Sequence, residues 1–313
     1  MRLLVGRDQS LCHLPLIVAR ELGYFAAEGL DVTLAEGHTP AQAARALQSG
    51  GAQFVSGAYL HVVLRQLQGE AVQSVVVEGR SPIVAFGVSK RQLPEFRGVA
   101  DLRGRRVGTS APGTLSDLLA RVLLIRAGLR PEEVRWTPLD SGSEAVFALR
   151  AGRVDALSHV DPGMTQLEQK GDVRLVADTR TVKGARELFG GLLPGTCVYA
   201  STGYVERHAE VCQAMANAVL RGLKWLQTAQ PQDLIATVPD AALGEDRALY
   251  LASFYKVRES YSVDGALSSE ALKATAGVAA ALADVPASQL EAALERSHTN
   301  DFAAKARAKW FRS

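Results

Sequence analysis

The sequence predicts an α/β protein of two β/α lobes that face each other across a ligand cleft. Three observations lead to it. Short apolar strands alternate with small-residue loops and helices up to Ser201, the pattern of α/β architectures. The segment before residue 80 and the middle third repeat one order of elements, and Ala46-Leu47-Gln48-Ser49-Gly50 and Ala148-Leu149-Arg150-Ala151-Gly152 are the clearest matching pair. Two strand-like runs, Val72 to Glu78 and Ile83 to Val88, are joined only by Gly79-Arg80-Ser81-Pro82. That link has no room for the helix a parallel crossover needs, so it suits a chain leaving one lobe for another.

In chain order, Arg2 to Gly6 reads as a strand and Leu16 to Leu22 as a helix, with Pro15 in its first turn and Gly23 at its end. Leu30, Val32 and Leu34 alternate as in a strand. Gly37-His38-Thr39-Pro40 then starts a helix from Ala41 to Gln48. Gln53 to Ser56 is a short strand and Tyr59 to Gln68 a helix. The stretch Asp101 to Leu129 is central: a strand ending near Gly108, the loop Thr109-Ser110-Ala111-Pro112-Gly113-Thr114, and a helix from Ser116 to Ala127. Strand, small loop and helix aim free backbone N–H groups and a positive helix end at a bound anion. The loop lacks the Gly-Lys-Ser/Thr ending of a P-loop.

Val134 to Leu139 follows as a strand, Glu144 to Ala151 and Met164 to Lys170 as helices, and Arg174 to Ala177 as a strand. Gly190 to Gly195 reads as a mobile loop and Thr196 to Ser201 as a strand that crosses back. The remainder is helical in pattern: Val205 to Ala229, Gln232 to Val238, Asp246 to Arg258, Ser268 to Ala283 and Ser288 to Arg296. Val211, Met215, Val219, Leu223 and Leu226 recur at helical spacing as a core-facing stripe.

The totals exclude several classes. The 313 residues carry 35 basic and 33 acidic side chains, a formal charge of +2, which argues against a nucleic-acid surface. No apolar run approaches the roughly 20 residues of a membrane helix. Cys12, Cys197 and Cys212 form neither a metal-site spacing nor an even disulfide set, the histidines are scattered, and no cofactor or metal is expected. Leu3-Leu4-Val5 is interrupted at once by Gly6, Arg7 and Asp8, so the N-terminus does not read as a leader. The expected location is the cytoplasm if Met1 is the native start, and outside the membrane if a leader was removed.

The run Leu14-Pro15-Leu16-Ile17-Val18-Ala19-Arg20-Glu21-Leu22-Gly23-Tyr24-Phe25-Ala26-Ala27-Glu28-Gly29-Leu30-Asp31-Val32, with Asp101 to Gly108, Ala148 to Ala156, the pair Asp161-Pro162 and Tyr204 to Leu226, resembles a known group. It is similar to the solute-binding proteins of ABC uptake systems for sulfonates, nitrate and thiamine-pyrimidine precursors. The resemblance implies the two-lobed type II periplasmic-binding fold. One lobe would comprise residues 1–83 plus 197–313 and the other residues 84–196. It also implies a monomer that passes a small molecule to an ABC permease. The loop ends implied to hold the ligand are Ser10, Cys12 and His13; His38 and Thr39; Tyr59; Ser81; Thr109, Gly113, Thr114 and Ser116; Ser141; and His159 and Asp161. Such hydroxyls, N–H groups and helix ends suit a sulfonate, aromatic carboxylate or similar anion without a fixed positive charge. Asp8, Asp140 and Asp161 would instead suit an amine-bearing solute. The chain departs from the family at Gln53, where an Asp is usual, and lacks the early Trp of the pyrimidine-precursor subgroup.

An enzyme is the alternative. Ser10-Leu11-Cys12-His13-Leu14-Pro15 resembles the Ser-x-Cys-x-x-Pro turn of aromatic sulfinate desulfinases, which implies Cys12 as nucleophile and His38 as its acid/base partner. Gln48 stands where that site carries Arg.

Overall fold

The structure is a computed structural model that describes residues 1–5, 11–35, 39–283 and 285–310. Two five-stranded mixed sheets form its centre. The first run of strands is β1 (Arg2–Leu4), β2 (Thr33–Ala35), β3 (Phe54–Ala58) and β4 (Val72–Val77). The second is β5 (Ala85–Ser89), β6 (Arg106–Thr109), β7 (Arg135–Pro138), β8 (Ala156–His159) and β9 (Val173–Asp178), and β10 (Thr196–Ser201) returns to the first sheet. The sheet orders are β2-β1-β3-β10-β4 and β7-β6-β8-β5-β9. These are one topology used twice. In each sheet the fourth strand runs antiparallel to both neighbours, and in each it is the strand that has just crossed from the other sheet. The matching pentapeptides Ala46–Gly50 and Ala148–Gly152 precede β3 and β8, which hold equivalent positions.

Helices cover both faces of the sheets, so the central strands carry near-continuous apolar runs. Phe54, Val55, Val75, Val76 and Val77 are all buried. Met215, Val219, Leu223 and Leu226 of the expected stripe are buried too, and their helix packs on Leu14–Glu21.

The chain corrects four expectations. The single helix expected over Val205 to Ala229 is two, Thr202–Arg207 and Ala209–Thr228. They are broken at His208, whose ring rests 4.4 Å from that of Tyr204. A helix not foreseen, Val182–Phe189, is capped by Thr181 and ended by Gly190 in the left-handed region. The loop after it, read as mobile, is anchored: Leu192 and Leu193 are buried, and the Leu192 N–H donates to Glu270 Oε1 at 3.2 Å. A last helix, Asp301–Trp310, packs on Ala209–Thr228.

The two crossings lie side by side. Gly195 N–H donates to Gly79 O at 2.8 Å, and the N–H groups of Glu78 and Gly79 donate to Thr196 O at 2.9 and 3.1 Å. Ile83, at the exit of the first crossing, has a φ of 57°, a strained value for a β-branched residue. A Cβ added at Gly195 would overlap the backbone carbonyl of Ser81, which cannot swing aside as a side-chain end can. Gly195→Ala is therefore expected to lower stability by about 1–3 kcal/mol, the usual cost of overpacking. Urea unfolding is the check, and a loss below about 0.5 kcal/mol, the scatter of neutral surface changes, would show that the crossings have slack.

Candidate ligand cavity

Parallel β/α sheets place ligands beyond the carboxyl ends of their strands. The cavity here lies at such ends. Val5 follows β1, Ser56, Gly57 and Ala58 end β3, Ser110 follows β6 and Val160 follows β8, and all of them line it. Its volume is about 130 Å³. A cavity of roughly 150 Å³ accepts one benzene ring, so this one is sized for a small ring.

One wall comes from the first sheet. Cys12 and His13 sit in the turn Leu11–His13 that opens the helix Leu14–Glu21. Thr39 caps the helix Pro40–Gln48 through a reciprocal pair of bonds with Gln42. His61 projects from the helix Tyr59–Leu67, and Tyr199 of β10 lays its ring against Gly57, where a Cβ would be 3.4 Å from Cε1. The other wall is the central loop, Ser110, Ala111, Thr114, Leu115 and Ser116, with Asp140 from the loop after β7. His61 Nε2 bonds the carbonyl of Gly113, and this bond joins the two walls directly.

Below the floor runs a buried polar chain. Ser56 Oγ and Glu78 Oε2 share a hydrogen bond at 2.6 Å, and His13 Nδ1 lies 2.9 Å from the same Oγ. Burial pushes the Glu78 carboxyl up to about 8 and the His13 imidazole down to about 4. His61 is also lowered to about 4, chiefly by burial, against the opposing bond to Gly113. At neutral pH both imidazoles are uncharged and Glu78 is mostly protonated. Among the described lining residues there is no Arg or Lys, and Asp140 is the one carboxylate.

The central loop spends its polar groups on itself. Ser110 N–H donates to Ser116 Oγ at 3.0 Å, Gly113 N–H to Asp117 Oδ2 at 2.8 Å, and Thr114 N–H to Ala111 O at 3.2 Å. The expectation that these N–H groups point free at an anion is corrected: they brace the turn. Thr114 caps the helix Leu115–Arg126.

Of the residues implied to hold a ligand, Cys12, His13, Thr39, Thr114 and Ser116 line the cavity, and Ser10 and His38 lie outside the described residues. The pairing of Cys12 with His38 therefore lies outside them too. The others are not on the wall. Tyr59 Oη bonds Ser297 Oγ at 2.6 Å. Ser81 is buried in the first crossing, and Thr109 O takes the Leu139 N–H at 2.8 Å. Gly113 meets His61 at the rim, and Ser141 caps the helix Gly142–Arg150. His159 donates to Leu139 O at 3.2 Å, and Asp161 is paired with buried Arg180 at 3.1 Å. Ser56, His61, Thr196 and Tyr199 line the cavity, with Glu78 behind Ser56, and none of these was foreseen. The signal for three of them was a polar residue in an apolar setting: Ser56 in Phe54-Val55-Ser56, His61 beside Val62-Val63, and Glu78 after Val75-Val76-Val77.

The pattern of one family, described as NMT1/THI5 like, matches residues 11–233. This chain belongs to the NMT1/THI5-like family. The formylaminopyrimidine-binding protein of Halalkalibacterium halodurans is a relative, 28% identical over 217 residues, or 68% of this chain and 62% of that protein. The match thus spans less than two thirds of that relative's length. A solved protein of Bordetella bronchiseptica RB50 is 34% identical, with 99% of this chain and 98% of that one covered and a TM-score of 0.93. The alkanesulfonate-binding protein of Xanthomonas axonopodis pv. citri, solved with MOPS bound, is 21% identical over 97% of each chain with a TM-score of 0.69. The NMT1/THI5-like chain has the two-lobed periplasmic-binding fold of these neighbours. No helix among its described residues is long and apolar enough to cross a membrane.

Proposed function

We propose that this chain is the solute-binding component of an ABC-type uptake system and that it closes over a small planar solute, best matched by an amino-substituted heteroaromatic ring. One observation carries this reading. The described lining offers neutral imidazoles, hydroxyls, the Tyr199 ring and one carboxylate, but no cation. A small ring fits this cavity by size, and the neutral imidazoles and hydroxyls give it hydrogen-bond partners. The name of the Halalkalibacterium relative supports the same ligand class. Residues 1–83 with 197–313 would form one lobe and 84–196 the other, closing about the paired crossings. The partner would be a permease, met outside the cytoplasmic membrane.

A second reading, an organic anion such as a sulfonate or aromatic carboxylate, is favoured by the N-terminus of the helix Leu115–Arg126 beside Thr114 and Ser116. Calorimetric titration with 4-aminopyrimidine and with benzenesulfonate separates the two. The aminopyrimidine is expected to bind more tightly. Tighter binding of the sulfonate would sink the heterocycle reading. Mass spectrometry of the recovered ligand tests transport against catalysis: a product lost in Cys12→Ser would favour the enzyme.

A further inference from the structure

One end of the chain His13–Ser56–Glu78 opens on the cavity. We propose that Ser56 and the buried carboxyl of Glu78 decide whether the His13 imidazole meets the solute as a hydrogen-bond donor or as an acceptor, which makes Ser56 and Glu78 specificity-determining residues. This rests on the reading of the cavity as a site for uncharged heterocycles.

The proton count gives the two states. Ser56 has one hydroxyl proton and two partners, and His13 Nδ1 is committed to Ser56, so Nε2 is the nitrogen left for the cavity. In one arrangement Glu78 donates to Ser56, Ser56 donates to Nδ1, and Nε2 carries its hydrogen toward the solute. In the other, Nδ1–H donates to Ser56, Ser56 donates to Glu78, and Nε2 is a bare acceptor. A protonated Glu78 permits both, but Glu78 Oε1 has no hydrogen-bond partner among the described residues. A proton on Oε1 would be an unpaired buried donor, which costs more than an under-used carbonyl oxygen. The proton therefore belongs on Oε2, and the donor state follows. When Glu78 loses it to solvent, only the acceptor state remains.

The surroundings leave this switch to Glu78 alone. Facing it are Ser56 from β3, Cys197 from β10 and Tyr261 from the segment after Arg258–Ser260. The thiol and the phenol are both pushed up by burial and stay neutral. Arg80, two residues on, is turned to Glu259 O at 2.6 Å. No cation among the described groups bonds the carboxyl, which agrees with its rise to about 8.

Nitrogen-15 NMR of the imidazole reads the state without any ligand. On raising the pH through about 8, the proton on His13 is expected to move from Nε2 to Nδ1. Glu78→Gln, whose amide N–H donates to Ser56 at every pH, is expected to hold Nε2–H throughout. Ser56→Ala is expected to lose the pH response, and Ser56→Thr to keep it. Two uncharged probes read the consequence: pyridine, an acceptor, should bind about tenfold more weakly above the transition, the worth of about one hydrogen bond, while pyrrole, a donor, should not weaken. A His13 tautomer that stays constant through the transition, or one that still switches in Ser56→Ala, would overturn the proposal. If the tautomer switches and neither probe binds, the relay stands and the reading of the cavity as a heterocycle site falls.

Discussion

Replacing Arg180 with leucine is expected to lower the unfolding free energy by about 3–5 kcal/mol, the cost of stripping one partner from a buried ion pair. Arg180 is 0% exposed. Its guanidinium donates to Asp161 at 3.1 Å, Asp178 at 2.7 Å, Glu168 at 2.9 Å and Thr165 Oγ1 at 3.1 Å. Lys256, from the C-terminal helix Arg247–Val257, joins the cluster through Glu168, and Ser260 Oγ donates to Arg180 O at 2.8 Å. The cluster therefore ties the second sheet to the C-terminal helices. Asp178 and Glu168 reach solvent and can rehydrate, but Asp161 is 0% exposed on its side chain and has nowhere to go. Burial already pushes the Asp161 carboxyl up, against the pull of Arg180, so without Arg180 it takes up a proton, and that limits the loss. Urea unfolding should show the loss in Arg180→Leu. Adding Asp161→Asn should recover a good part of it, because the double variant buries no orphaned charge. A single variant within about 0.5 kcal/mol of wild type, the range of ordinary surface changes, would mean the cluster is solvated and not structural.

The second large effect is on pH. Stability is expected to peak near pH 6.5 and to fall by about 2 kcal/mol between pH 6.5 and 8, at about 1.4 kcal/mol per unit for one proton. The signs follow from proton counts. His13 and His61 sit at about 4 when folded against 6.5 when free, so the unfolded chain holds two more protons in that window, and stability rises with pH through it. Glu78 sits at about 8 against 4.5, so the folded chain holds one more proton and stability falls as pH rises from 4.5 to 8. Between pH 4.5 and 6.5 the two histidines outweigh the carboxyl, and above 6.5 the carboxyl acts alone. Glu78→Gln keeps the shape and removes the titration, so its profile should be level from pH 6.5 to 8. Urea unfolding at a series of pH values decides it, and a wild-type profile that is also level there would mean that water reaches Glu78.

Much of the fold was legible in the chain because periodicity is a local property. Strands buried on both faces need apolar runs, helices need a stripe, and a link as short as Gly79–Pro82 excludes a helix. The helices Val182–Phe189 and Asp301–Trp310 escaped because their patterns are short and rich in charge. The cavity was legible only in outline. The family resemblance implied loop ends as ligand contacts, and of these Cys12, His13, Thr39, Thr114 and Ser116 line the cavity. Which polar groups remain free there is a sum over long-range contacts. Tyr59 is taken by Ser297, which lies 238 residues away, and Asp161 by Arg180. The N–H groups of Ser110, Gly113 and Thr114 are taken by Ser116, Asp117 and Ala111. The sequence by itself determined an α/β chain of two repeated lobes with a cleft between them, because hydrophobic period and link length act along the backbone. Only the tertiary structure decided the character of that cleft, because burial is the main cause that turns His13 and His61 neutral and protonates Glu78, and burial exists only once distant segments have packed.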